Sequence, residues 1–186
     1  MKVMLFSAGL FILFSSMVSC EKASKSIPVY FGGYNDQGIF YSQFDVLTGS
    51  LTEPEVIAVT ESPSYLIVHP TRNFLYCVAE VDGSGGVKAY QMNKDSRLSF
   101  VNAQSANGKW PCHLSFDKTG KYLLVANYGT GNATVLPVSE DGSLGEASSS
   151  VQHAGSSVNT QRQKGPHAHS INASPDNKYV YVADLG

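Results

Sequence analysis

Short apolar runs separated by polar turn residues make up the chain from Pro28 onward. Some runs alternate apolar and polar positions and others, such as residues 74–79, are continuously apolar, as expected of half-buried and fully buried strands. Gly, Asn, Asp and Ser cluster between the runs, where chain reversals favour them. No long stretch follows the helical period of about 3.6 residues. The pattern predicts an all-β protein.

One unit, consisting of a strand, a polar turn and an apolar strand, occurs three times. The three copies span residues 63–80, 111–127 and 166–184. Their equivalent alanines, Ala79, Ala126 and Ala183, are 47 and 57 residues apart, and the longer interval contains one insertion. Each copy predicts a tight antiparallel hairpin, because two strands joined by a short polar turn fold back on each other.

Two further strand candidates follow a hairpin strand in each unit. The outer candidates carry a polar turn and a leucine, and these residues, Leu51, Leu98 and Leu144, are 47 and 46 residues apart. Four short strands at this period are typical of the blades of a β-propeller. The first unit is partial, since residues 29–34 align with the second hairpin strand and no first strand precedes them.

About three blades cannot close a ring, and both ends would expose unpaired strand edges and apolar faces. We therefore expect the chain to be the N-terminal part of a longer propeller. The alternative is a complete, small open sheet.

Composition limits the partners of this fold. The 186 residues are 42% hydrophobic and 15% charged, which argues against disorder. The formal net charge is −2 and no long run of Lys or Arg occurs, so nucleic acid and anionic membrane surfaces are not expected partners. A small molecule or another protein is the expected partner.

The N-terminal 20 residues have the features of an export signal. Lys2 precedes an apolar core, residues 3–14, that is too short to span a bilayer. The sequence Met17-Val-Ser-Cys20 resembles a lipobox, which predicts lipidation of Cys20, residues 21–27 as a tether and residues 28–186 as the folded domain. The alternative is an ordinary signal peptide with an incidental cysteine. Both interpretations predict an exported protein of the periplasm or cell envelope.

The two other cysteines, Cys77 and Cys112, lie in or near apolar strands. An exported protein can form a disulfide, but we expect two buried free thiols at these positions. No pair of cysteines has zinc-finger spacing.

Polar residues recur where each first hairpin strand begins and each second strand ends, which is one edge of the predicted ring. These residues are Tyr65, Glu80, His113, Asn127, His167, His169 and Asp184. A varied polar lining on a repeated architecture indicates a site. The alternative is that polar residues simply end strands there.

The sequence His167-Ala168-His169 places both imidazoles on one side of an extended strand. The pair suits a general base with a neighbour that tunes it. It also suits a metal pair, with Asp184 or His113 as a third ligand, or a structural pair.

The insertion at residues 139–164 is a long polar connection that ends just before these histidines. Its residues Arg162 and Lys164 bring positive charge suited to a phosphate or carboxylate of a substrate, or they are simply solvated. The sequence has neither a G-x-S-x-G motif nor a Gly-rich phosphate loop, so attack by water assisted by His and a carboxylate fits best.

Several of these motifs together resemble a known family. They are FGGY at residues 31–34, LLVANY at 123–128, QKGPHAHS at 163–170 and YVADLG at 181–186. The last two are the specific ones, and the resemblance, to the seven-bladed β-propeller lactonases, extends over residues 28–186. Members of that family include the propeller-type 6-phosphogluconolactonases, and its relatives include the carboxymuconate lactonizing enzymes. By family length this chain corresponds to the first half.

The resemblance implies hydrolysis of a sugar lactone, 6-phospho-D-glucono-1,5-lactone, to 6-phosphogluconate without a cofactor or metal. In the implied site His167 or His169 is the base and Asp184 or Glu80 orients it. Arg162 and Lys164 would hold the anionic end of the substrate, and the remaining candidates, His113, Asn127 and Tyr65, would line the pocket.

An export signal departs from this pattern, because the implied reaction is cytoplasmic. An exported relative would use another lactone or none. Two alternatives therefore stay open: a non-catalytic envelope propeller that binds a sugar or a protein, and a carboxymuconate-type enzyme that forms a lactone.

Overall fold

The computed structural model describes residues 26–81 and 85–186. The predicted signal peptide and Cys20 lie outside these residues. All regular secondary structure in the described part is β-strand, which confirms the predicted all-β class. Within those two ranges there is also no helix with the length and apolar character needed to cross a membrane.

The strands of the described residues form four antiparallel sheets. The first contains β1 (Ser26–Phe31), β2 (Ile39–Asp45) and β3 (Glu55–Ala58). The second contains β4 (Leu66–Val68), β5 (Phe74–Ala79), β6 (Gly86–Met92) and β7 (Leu98–Ser105). The third contains β8 (Pro111–Phe116), β9 (Tyr122–Asn127), β10 (Asn132–Pro137) and β11 (Ser149–Gln152), and the last contains β12 (Ala168–Ala173) and β13 (Val180–Asp184). Strands that are consecutive in sequence are neighbours, so each sheet is a meander of the propeller-blade type.

Strand β1 begins at Ser26, two residues before the predicted start of the domain, so the end of the predicted tether is part of the first sheet. Within that sheet β1 pairs only with β2. The first sheet therefore has the three strands expected of the partial unit.

The three predicted hairpins are β4–β5, β8–β9 and β12–β13. In their registers Leu66 faces Cys77, Pro111 faces Asn127 and Ala168 faces Asp184. Every first strand thus begins beside the end of its partner, which is the geometry of an antiparallel pair. We call this side the mouth edge; it comprises residues 31–35, 62–66, 79–81, 107–113, 127–131, 166–169 and 184–186. The opposite side, the turn edge, comprises residues 69–73, 117–121 and 174–179.

The outer strands differ in part from the prediction. Leu51 and Leu144 form isolated bridges to Phe44 and Val138, and the outer strands β3 and β11 begin after them. The predicted insertion at residues 139–164 therefore contributes β11 to the third sheet, and only its second part is a loop. The polar residues before each leucine form the turns that lead into the outer strands.

The sheets pack face to face through three apolar clusters. Ile39, Leu75 and Tyr90 join the first sheet to the second. The largest cluster includes Tyr76, Val87, Leu114, Val125 and Leu136 and joins the second sheet to the third. A third cluster, which includes Leu124, Ala133 and Ile171, joins the third sheet to the last hairpin. Each fully buried side chain of this size stabilises the fold by about 1.5–3 kcal/mol, so these contacts fix the positions of the mouth-edge residues.

Both described cysteines are free thiols, as predicted, but their surroundings differ. Cys77 is completely buried, and this burial raises the pKa of its thiol to about 12. Cys112 is only half-buried, at the mouth edge, where burial first and the nearby charge of Glu80 second raise the pKa of its thiol to about 11.

Candidate active site

His167 lies at the mouth edge immediately before β12, and three contacts hold it. Its ring stacks on Tyr128, with 4.6 Å between ring centroids and 18° between ring planes. Its backbone N–H donates to Asp184 Oδ1 at 2.7 Å, and its Nδ1 lies 3.0 Å from the carbonyl oxygen of Tyr128. A carbonyl oxygen only accepts, so Nδ1 carries the proton and Nε2 of the neutral ring has a lone pair. His167 is thus oriented as a base that uses Nε2.

His169 follows at a β-bulge between Ala168 and Ser170 and is exposed. Its ring meets the edge of the Tyr128 ring, with 6.1 Å between centroids and 80° between planes. Both imidazoles therefore contact one aromatic ring, so the structure brings the predicted pair together.

Asp184 connects three segments of the mouth edge. Oδ1 accepts hydrogen bonds from the backbone N–H groups of His167 and Gly186, at 2.7 and 2.8 Å. Oδ2 lies 2.5 Å from Nδ1 of His153. Burial by itself would raise the pKa of Asp184, but the hydrogen bonds from His167, His153 and Gly186 together lower it below its usual value. The carboxylate fixes the backbone of His167 and orients the ring of His153, not the rings of His167 and His169.

His153 is a site residue that the sequence patterns do not reveal. It follows β11 in the inserted segment, outside the hairpin repeat, and no motif surrounds it. The His153–Asp184 pair borders a cavity of about 510 Å³ that residues 154–157 of the same segment also line. The available signal was the residue type alone, a histidine in a long polar insertion.

His113 lies on β8 beside the histidine pair and is half-buried. Its ring packs against Tyr65, with 4.4 Å between centroids, and its Nδ1 accepts the backbone N–H of Ile171 at 3.3 Å. Burial first, and the charge of His169 second, lower the pKa of His113. The structure thus places Tyr65 and His113 together at the mouth edge, with His113 as a neutral ring.

Glu80 follows β5 at the mouth edge, but its partners differ from those predicted. Oε1 accepts from the hydroxyl of Tyr34 at 3.1 Å, and Oε2 accepts from the hydroxyl of Ser64. Neither partner is a histidine, so the carboxylate does not orient His167 or His169 through a direct hydrogen bond. Glu80 belongs to a separate group of side chains at the boundary between the first and second sheets.

Asn127 does not line the opening, in contrast to its predicted position. It is completely buried, because the loop at residues 106–108 covers it. Its Nδ2 donates to the carbonyl of Ala106 at 2.9 Å and lies 3.3 Å from Thr134 Oγ1. The bond to Ala106 joins the third sheet to the second and the contact with Thr134 lies within the third sheet, so the carboxamide takes part in packing rather than in substrate contact.

Arg162 and Lys164 lie in the loop between β11 and β12 and are exposed. A turn orders this loop, in which the side-chain oxygen of Asn159 accepts the backbone N–H of Arg162 at 3.1 Å. In the described part of the chain, neither cation forms an ion pair. The loop adjoins Asp184 through the side chain of Gln163, which donates to the carbonyl of Leu185 at 3.1 Å.

Residues 26–81 and 85–186 contain no group of three or more His, Cys, Asp and Glu side chains placed to hold a metal ion. The mouth edge instead combines an oriented imidazole, a second imidazole that is exposed, and a carboxylate whose pKa is lowered. An imidazole with a free ring nitrogen can take a proton from water and return it to a leaving group. The arrangement can therefore support attack of water on an ester carbonyl.

Comparisons with known proteins give one consistent result. Residues 28–186 match the family model described as lactonase, 7-bladed beta-propeller. A protein of Bacillus subtilis (strain 168) named 6-phosphogluconolactonase is 38% identical over 161 residues, which cover 84% of this chain and 46% of that protein. A second protein of that name, from Formosa agariphila, is 28% identical over 168 residues, covering 85% and 47% of the two chains.

Solved structures agree with the sequence matches. A putative 6-phosphogluconolactonase from Bacteroides fragilis superimposes with a TM-score of 0.80 at 34% identity and covers 87% of this chain and 46% of its own. The Pseudomonas aeruginosa structure described as periplasmic gluconolactonase gives a TM-score of 0.80 at 33% identity, covering 87% and 47%. The chain thus spans about half the length of the curated relatives and structures that it matches.

Proposed function

From the premise that this chain belongs to the seven-bladed β-propeller lactonase family, we propose that the protein hydrolyses a sugar lactone. The observation that carries the proposal is the orientation of His167, whose Nδ1 is bound to the Tyr128 carbonyl so that Nε2 is available as a base. The names of the relatives from Bacillus subtilis and Formosa agariphila support the same reaction class.

In the proposed reaction a histidine at the mouth edge removes a proton from water as the oxygen attacks the lactone carbonyl. The C–O bond within the ring then breaks, and the imidazolium returns the proton to the departing ring oxygen, which gives the open hydroxy acid. His167 is held for this role by Tyr128 and Asp184. His169 contacts the same tyrosine and is the alternative base.

The proposed substrate is 6-phospho-D-glucono-1,5-lactone, which the names of these relatives support. Arg162 and Lys164, exposed on the loop beside Asp184, would meet its phosphate. The second candidate is the unphosphorylated D-glucono-1,5-lactone. It is favoured by the export-type N-terminus together with the similarity to a structure described as a periplasmic gluconolactonase.

The proposed location is the periplasm or cell envelope, with residues 1–20 as the export signal and Cys20 as the lipid attachment site. Metabolic labelling with a fatty-acid analogue would label the wild-type protein and not the Cys20→Ala variant. A labelled Cys20→Ala variant would contradict anchoring at this residue.

The test uses the product of the complete reading frame and follows acid release from both lactones. The His167→Ala, His169→Ala double variant should lose about 10²- to 10⁴-fold in rate, the contribution typical of a general base. The matched control is Asn172→Ala, an exposed position on the same strand, which should keep full activity. Unchanged activity in the double variant would overturn the assignment.

The two other candidate functions predict different results for the same purified protein. A non-catalytic envelope propeller would bind a sugar or a protein saturably and hydrolyse no lactone. A lactonizing enzyme would cyclise a carboxylated diene acid, which ultraviolet absorbance follows.

A further inference from the structure

A second cleft opens at the mouth edge, at the boundary between the first and second sheets. It has a volume of about 380 Å³ and is lined by Tyr34, Ser62, Glu80, Val81 and Trp110. This volume is near the lower end of the range for small-molecule sites and suits a single small ring. The proposed hydrolysis does not use this cleft.

Two of the five described lining residues have a positive backbone φ angle, a left-handed conformation that residues other than glycine rarely adopt. The φ angles are +40° at Ser62 and +52° at Trp110. For a bulky residue such as Trp a positive φ is a true outlier, and such outliers concentrate at functional sites. Both strained residues line the same cleft, which points to a use for their side chains there.

Contacts with the neighbouring loop hold Trp110 in place. Its carbonyl accepts the backbone N–H of Tyr128 at 2.9 Å, and its ring lies over Gly129, where an added Cβ would come within 3.1 Å of the indole. Trp110 is still 41% exposed as a residue, and Tyr34, which also lines the cleft, is 77% exposed. The cleft therefore presents two aromatic surfaces to solvent.

Glu80 supplies the polar part of the cleft. Its two oxygens accept from the hydroxyls of Tyr34 and Ser64, which uses two of about four acceptor positions of a carboxylate. Burial first, and the charge of Glu80 second, raise the pKa of Tyr34, so the phenol stays protonated as a donor. No Lys, Arg or His is among the described residues that line the cleft.

We propose that this cleft binds an uncharged sugar ring. Aromatic surfaces pack on the C–H faces of such a ring, and the remaining lone pairs of Glu80 accept hydrogen bonds from its hydroxyls. A phosphate or carboxylate would instead meet the charge of Glu80 without a compensating cation in the described lining. The cleft therefore selects a neutral sugar or lactone over a phosphorylated sugar or an aldonic acid.

The position of Cys112 relates this cleft to the histidine pair. Its Sγ lies 3.5 Å from the carbonyl oxygen of His169, and its thiol pKa responds to the charge of Glu80. The cleft and the histidines therefore share one mouth edge. Sugar binding in the cleft goes beyond the proposed hydrolysis, since it can be measured without any turnover.

The probe is methyl β-D-glucopyranoside, an uncharged sugar without a lactone, titrated calorimetrically into the complete protein. Tyr34→Ala and Glu80→Gln should each weaken its binding about tenfold, as expected for loss of one stacking surface or one charged acceptor. Phe100→Ala, at an aromatic residue that is 61% exposed on an outer strand, is the matched control and should bind like the wild type.

D-gluconate and glucose 6-phosphate serve as the charged probes. They should bind more weakly than the glucoside to the wild type, and Glu80→Gln should narrow that difference, because it removes the repelling charge. The proposal is overturned if the glucoside does not bind saturably, if both variants bind like the wild type, or if a charged probe binds more tightly than the glucoside.

The result is separable from the test of hydrolysis. The His167→Ala, His169→Ala double variant should keep glucoside binding. If hydrolysis fails while Tyr34→Ala still weakens glucoside binding, the cleft assignment stands alone. If hydrolysis is confirmed and glucoside binding is absent, only the cleft assignment falls.

Discussion

At the turn edge, the polar side chains of the hairpins accept hydrogen bonds from the backbone of their own turn, and His69 and Asp117 also contact the turn of the next hairpin. His69 Nδ1 accepts the N–H groups of Thr71 and Arg72 at 3.2 and 3.1 Å, and Asp117 Oδ1 accepts those of Lys121 and Tyr122 at 2.9 Å each. At the mouth edge the same residue types bond to other segments, as when Asp184 meets His153 across 31 residues.

The two edges also differ in how much hydrogen-bonding capacity remains. His69 is buried, and both of its ring nitrogens are engaged, since Nε2 lies 2.9 Å from the carbonyl of Gly120. His167, by contrast, has one ring nitrogen fixed and the other available. The presence of a histidine or a carboxylate therefore does not by itself indicate a functional site. A site is indicated where such a side chain keeps unused hydrogen-bond donors or acceptors at an open edge.

Among the substitutions that distinguish the turn edge from the mouth edge, we expect the largest effect, on stability, at Asp117. Asp117→Ala removes the acceptor for three backbone N–H groups and the contact with Asn177 of the next hairpin, so we expect a loss of about 2 kcal/mol in the free energy of unfolding. Urea denaturation of the complete protein measures this loss. Lactone hydrolysis by the folded variant should be unchanged. A drop in activity without a drop in stability would show that the turn edge also serves the reaction.

Substitution of Asp184 should have the opposite result to that of Asp117, because it should lower activity more than stability, and the expected change is smaller. Asp184→Ala frees the backbone of His167 and the ring of His153, and misplacing the base should lower kcat/KM about tenfold. Asp176→Ala, at the turn of the same hairpin, is the matched control and should leave kcat/KM unchanged. Comparing kcat/KM of the two variants on the lactone shows which of the two edges serves the reaction.

Asp184→Asn sharpens the assignment of Asp184 as a positioning residue. The carboxamide keeps an acceptor for the His167 backbone N–H, so it should restore part of the activity that Ala loses. If Asn and Ala are equally impaired, the negative charge toward His153 matters more than the backbone contact.

The hairpins were predictable because local chemistry specifies them. Each hairpin combines a turn sequence with an apolar second strand, in residues 63–80, 111–127 and 166–184. These two signals lie within about 20 residues of each other, so they specify the hairpin locally. The antiparallel register then places His167 beside Asp184 without any tertiary information. The outer strands were less predictable, because two of the three leucines that mark the repeat, Leu51 and Leu144, form single bridges, whereas Leu98 begins strand β7.

The partners within the site depend on tertiary packing that the repeat does not encode. Asn127 and Glu80 occupy equivalent positions, yet the loop at residues 106–108 covers Asn127 and an open cleft borders Glu80. His153 reaches Asp184 from an insertion in the third sheet, outside the repeat. Sequence periodicity reveals which residues share an edge but not which of them another loop buries.

The smallest predicted effects concern His113 and its titration. Its pKa is lowered in the folded state, so between that value and the ordinary value of about 6.5 the unfolded chain binds more protons. The contribution of His113 to stability is therefore present above the ordinary pKa and is lost as the pH falls through that window. His113→Gln should flatten this part of the pH dependence in urea denaturation. A variant with the wild-type slope would contradict the burial of a neutral ring.

The pKa values of His113 and His69 then compare the two edges directly. Burial is the first cause that lowers the pKa of both imidazoles. The second cause at His113 is the charge of His169, which lowers its pKa further, whereas at His69 it is the hydrogen bond to Gly120, which raises the pKa, ahead of the charge of Arg72, which lowers it. His169→Ala should therefore raise the pKa of His113 and leave that of His69 unchanged, as followed by NMR titration of the two imidazoles. Equal shifts at both rings would mean that the substitution acts on the whole fold. A shift confined to His113 would show that His169 acts on His113 locally, at the mouth edge.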